Sequence, residues 1–199
     1  MKLSAALILL CLATGRATHA QPNGQTSKDQ KSLRVALPGK PWALQIETSD
    51  FAIESNEIKP DGRAFLLAND TPRNFTLTVT LQQVRELATL DGCRQAFEDR
   101  MASYENLKPV DVKQWQNAEM VILEFVFPEV SGIPVQQKNV FACLVNGDVY
   151  AEIHLSKVRF QADEAPLFSS LLNATHFVRP EQVRRRKRPV DSRKVIHSF

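Results

Sequence analysis

The sequence predicts an α+β domain in which one antiparallel sheet carries a helix on each face. Three observations lead there. From Leu33 onward apolar and polar residues alternate mostly with period two, two stretches switch to helical spacing, and the longest alternating stretch folds back at Asn146-Gly147.

In chain order, LRVAL (33–37), ALQIETSDFAIESNEI (43–58) and RAFLLAND (63–70) read as strands, punctuated by Pro38-Gly39, Lys59-Pro60-Asp61-Gly62 and Asp70-Thr71-Pro72. Residues 74–82 alternate most cleanly, with Phe75, Leu77, Val79 and Leu81 set against Thr76, Thr78, Thr80 and Gln82. A helix follows over 93–104, where Cys93, Ala96, Phe97, Met101 and Tyr104 recur at helical spacing and Asp91 is the expected N-cap. After Pro109 a strand is expected over 119–127, then a hairpin over 137–157. A second helix over 163–174 carries Leu167, Phe168, Leu171 and Leu172 as its buried stripe, capped by Asp163. The expected core includes Trp42, Phe75, Phe125, Leu144, Ile153, Phe168 and Leu172.

A two-residue turn at Asn146-Gly147 sets Val145 against Asp148, Cys143 against Tyr150, Phe141 against Glu152 and Asn139 against His154. One face of the hairpin is then apolar (Val140, Ala142, Leu144, Val149, Ala151, Ile153, Leu155). The other is mixed (Phe141, Cys143, Tyr150, Glu152, His154). If the 93–104 helix covers the mixed face, Cys93 on its buried stripe converges on Cys143 and the two form a disulfide; the 163–174 helix then takes the apolar face.

The charge is unevenly placed. Residues 1–20 carry +2, residues 21–178 carry −5 and residues 179–199 carry +6, giving the formal net +3. The first segment has Lys2, an apolar run from Leu3 to Ala13 and the small-residue end Ala17-Thr18-His19-Ala20, which is the pattern of a secretory signal peptide cleaved after Ala20 or Ala17. Leu10 before Cys11 and the apolar residues after it argue against a lipid-anchored cysteine. Residues 21–32 read as a flexible leader, 33–178 as a single domain, and 179–199 as a basic, disordered tail containing Arg184, Arg185, Arg186, Lys187 and Arg188. Export makes nucleic acid an unsuitable partner for that tail and an anionic surface a suitable one. No later segment approaches membrane-spanning length.

The Pro38–Trp42 segment, the mid-chain helix, the QKNVFACLVNGDVYAEIHLSK hairpin and the DEAPLFSSLLNATHF helix together resemble the PsbP-like family, over roughly residues 33–178. That family includes the lumenal accessory protein of photosystem II, a Ran-binding protein and many exported bacterial proteins. The resemblance implies an α/β/α sandwich and an accessory or binding role, with no catalytic residue to carry over. It does not imply the plant member's manganese-cluster role.

Catalytic signatures are scarce. The sequence has no Gly-x-Ser-x-Gly elbow, no Walker A loop and no glycine-rich dinucleotide fingerprint, and Cys-x-x-Cys zinc spacing does not occur, so no cofactor is expected. Tyr150, Glu152 and His154, on one strand face, are the sharpest polar constellation, able to share a proton or hold a metal. An opposite reading has His154 bonding to a cross-strand partner such as Asn139. Two functions follow: an exported, non-catalytic binding or accessory module for a protein or envelope component, or a small secreted hydrolase or metal-dependent enzyme using Glu152 and His154. Three glycosylation tripeptides, beginning at Asn69, Asn74 and Asn173, matter only in a eukaryotic source.

Overall fold

The structure is a computed structural model that describes residues 32–48 and 50–179, apart from the side chain of Glu105. The signal-peptide, leader and basic-tail expectations fall outside these residues, except that Ser32 opens the first strand and Arg179 is the last residue described.

The order is β1 (Ser32–Val35), β2 (Ala43–Glu47), β3 (Ala52–Ile58), β4 (Ala64–Asp70), β5 (Phe75–Gln83), α1 (Leu90–Ser103), β6 (Val110–Gln116), β7 (Met120–Val130), β8 (Ile133–Asn146), β9 (Val149–Lys157), α2 (Ala165–Asn173) and β10 (Thr175–Val178). The α+β class expected from the sequence is present, with antiparallel pairing between all neighbouring strands. The expectation of one sheet is corrected. Seven strands form a large sheet in the order β3-β4-β5-β9-β8-β7-β6, and β1-β2-β10 form a separate small one.

Alternation along β5 and β9 explains how the large sheet supports two cores. Phe75, Leu77, Val79 and Leu81 are at most 2% exposed, and they join Val140, Ala142, Leu144, Ile153 and Leu155 in one apolar cluster. The same cluster takes Leu33, Val35, Leu44 and Ile46 from the small sheet and Phe168 and Leu172 from α2. The other set of side chains on β7 and β8, Val121, Leu123, Phe125, Phe127, Phe141 and Cys143, packs with Cys93 and Phe97 of α1. Of the expected core residues all are buried except Trp42. It is half-buried at the margin, edge-on to Phe177 with ring centroids 5.0 Å apart.

Local chemistry accounts for several departures. The hairpin turns at Gly147-Asp148, so Asn146 faces Val149, Val145 faces Tyr150, Cys143 faces Glu152 and Phe141 faces His154. Only the first central residue, Gly147, takes a positive φ, which suits a turn with glycine at that position. Every pair thereby moves by two residues, leaving both faces as read from the sequence. The N-cap of α1 is Thr89, whose hydroxyl accepts from Gly92 N–H at 3.0 Å; Asp91 lies inside the first turn. Asp163 does not cap α2 but lies in a short 3₁₀ turn before it, where Gln161 and Glu164 form the reciprocal box. No described helix is long and apolar enough to cross a membrane.

Candidate functional site

The polar constellation is built on β9, where alternation turns Tyr150, Glu152 and His154 to the side on which α1 lies. Helix α1 lies there because Cys93 and Phe97, four residues apart, are both fully buried against β7 and β8. Its first turn also brings Cys93 over Cys143, with the sulfurs 2.00 Å and the Cα atoms 5.7 Å apart, which is disulfide distance.

Glu152 is engaged by a residue that the sequence reading did not single out. Arg100 Nη2 donates to Glu152 Oε1 at 2.9 Å and Oε2 at 2.8 Å, tying the last turns of α1 to the sheet. The same guanidinium stacks 4.2 Å from the Phe141 ring centroid. Arg100 lies three residues after Phe97 on α1, so helical spacing was the signal that could have placed it on the buried side. Its partner is 52 residues away, which no local pattern reveals.

His154 is held just as closely. Its ring lies parallel to Phe141, 3.9 Å between centroids with 2° between planes, and Nε2 is 3.0 Å from Asn139 Oδ1. Asn139 directs its amide to the Gln137 carbonyl, so Oδ1 is an acceptor and His154 Nε2 carries the proton. Burial, with a smaller contribution from the nearby Arg100 charge, lowers the His154 pKa from 6.5 to about 3, so the ring is neutral at ordinary pH. Tyr104 packs beside this cluster on Phe125 and Phe127, and burial pushes its hydroxyl above the usual range.

Tyr150 serves a different place. Its hydroxyl accepts from Thr89 N–H at 3.3 Å, at the start of α1, and lies so near Gly92 that a Cβ there would sit 2.1 Å from it. The three residues therefore line one face without converging on a common point. Among the described residues no group of three His, Cys, Asp or Glu side chains could hold a metal ion. Both carboxylate oxygens of Glu152 accept from Arg100, and the imidazole proton is donated to Asn139. The arrangement fastens a helix to a sheet.

A second polar group lies at the far end of β9. Lys157 Nζ, nearly buried, binds Glu164 Oε1 at 3.1 Å and the Arg73 carbonyl, while Arg73 pairs with Asp70 and Asp50. Hydrogen bonding from Gln161 N–H, and to a lesser degree Lys157, holds the Glu164 carboxyl below the usual range. These contacts tie the approach to α2 to the β4–β5 turn. Arg184–Arg188 lie outside the described residues.

Comparison with protein-family models gives no match, and neither does comparison with curated proteins. Among solved structures, the solution structure of cyanobacterial PsbP (CyanoP) from Synechocystis sp. PCC 6803 is similar, with a TM-score of 0.51 and 11% sequence identity over 79% of this chain and 98% of that one. At that identity the likeness is one of fold: the chain has a PsbP-like fold.

Proposed function

We propose that this chain is an exported, non-catalytic binding or accessory module with an α/β/α core. Residues 1–20 direct export, the domain over 33–178 is closed by an oxidised Cys93–Cys143 bridge, and the basic tail adds affinity for an anionic surface. The observation that carries this reading is the engagement of Glu152 by Arg100 and of His154 by Asn139 and Phe141, which commits the sharpest polar constellation to packing. The PsbP-like fold supports it, since the resemblance read from the sequence implies accessory roles.

Affinity capture from the native envelope or medium, run with the natural chain and with a Glu152→Gln/His154→Gln variant, tests the proposal. The expected result is the same captured partner with both chains and a lower melting temperature for the variant. A hydrolytic or metal-dependent activity lost in a folded variant would instead establish the enzyme reading.

A further inference from the structure

The two edges of the large sheet are protected to different degrees. On β3, Glu54 and Glu57 and an irregularity between Ile53 and Ser55 blunt the edge. On β6 every residue is exposed, and Val110, Val112 and Trp115 are large apolar side chains among them, at 44%, 47% and 43%. Among the described residues nothing pairs with the outer side of β6.

The irregularity of β6 is confined to its first half, where Asp111 takes φ 53° and the pairing with β7 slips between Val110 and Lys113. From Lys113 to Gln116 the ladder is regular, with Lys113 opposite Glu124 and Trp115 opposite Ile122. Lys113 and Trp115 therefore project from one face, two residues apart, and both are accessible.

We propose that β6 pairs with β6 of a second copy of this chain, antiparallel about a two-fold axis through Gln114. In that register Lys113 of each copy stands opposite Trp115 of the other, so both cross-strand pairs on that face are cation–π contacts. Gln114 meets its own amide, and Val112 meets Gln116. Lys-Gln-Trp is thus its own antiparallel complement. The register with its axis one residue toward the N-terminus sets Lys113 against Lys113, and the next, with Asp111 opposite Lys113, would need a regular ladder through the positive-φ residue, so both are disfavoured. The result is a continuous sheet across two copies that covers the more apolar edge.

Sedimentation velocity from about 1 to about 200 µM protein is the first test, because a second-copy interface is concentration-dependent. The expected result is a doubling of mass with concentration, lost in Trp115→Lys, where lysine would face lysine. The register is tested by single cysteines. Across an antiparallel pair, Cα atoms directly opposite lie about 4.5–5.5 Å apart. Mild oxidation should therefore join two copies of the Gln114→Cys variant through the introduced thiols, and should leave two copies of Gln116→Cys unjoined at that position. A natural chain that stays monomeric throughout, a dimer unchanged by Trp115→Lys, or equal cross-linking of the two cysteine variants would overturn the proposal.

Discussion

His154 shows how one side chain links packing to pH. Its folded pKa of about 3 lies below the unfolded value of 6.5, because burial and Arg100 both disfavour the imidazolium. As pH falls through 6.5 the unfolded chain takes up a proton that the folded chain refuses, so stability falls with acidity down to about pH 3. Between pH 7 and pH 5 this single group should remove roughly 2 kcal/mol. Urea unfolding at the two pH values, compared with His154→Gln, measures it: the variant should be less stable at pH 7 and show a shallower dependence on pH. Gly92 gives a second prediction at this scale. A Cβ added there meets Tyr150 Oη at 2.1 Å, so Gly92→Ala should cost about 1–3 kcal/mol, the usual range for overpacking. Adding Tyr150→Phe removes the offending oxygen, and part of the loss should return in a double-mutant cycle.

Helix α1 is attached by two fastenings at opposite ends, Cys93 on Cys143 and Arg100 on Glu152. Arg100→Ala should cost about 1–2 kcal/mol, since the paired side chains are mostly but not wholly buried, and hydrogen exchange should quicken in the last turns of α1. Removing the bridge with Cys93→Ala/Cys143→Ala opens a loop of 50 residues, for which the chain-entropy model gives a loss of about 4 kcal/mol. The elements that could be read from sequence were those whose burial alternates. On β5 and β9, inward and outward positions differ in chemistry residue by residue, so their faces and the convergence of Cys93 on Cys143 were legible. Strand β6 was missed because it is exposed on both faces and carries no such pattern, and β10 because its four residues follow α2 after only Ala174. The separation into two sheets depends on which strands meet in space. The Arg100–Glu152 clasp joins residues of different elements, so the same sequence pattern left Glu152 looking like a free carboxylate.

Charge and compartment decide the behaviour of the whole molecule. The segment 179–199 carries +6 against −5 for residues 21–178, so the full chain should bind vesicles of anionic lipid and release them as salt rises, while a chain ending at Val178 should bind them weakly at any ionic strength. Cosedimentation at low and physiological salt reads this directly, and equal binding by both chains would remove the tail from the account. Export and closure by a disulfide underlie the proposed function as a whole. The intact mass of the protein recovered from its native cells tests both at once. The account predicts a chain beginning at Gln21 that lacks two hydrogens and gains no alkyl groups until it is reduced. A chain that retains Met1 and is alkylated at Cys93 and Cys143 without reduction would contradict it.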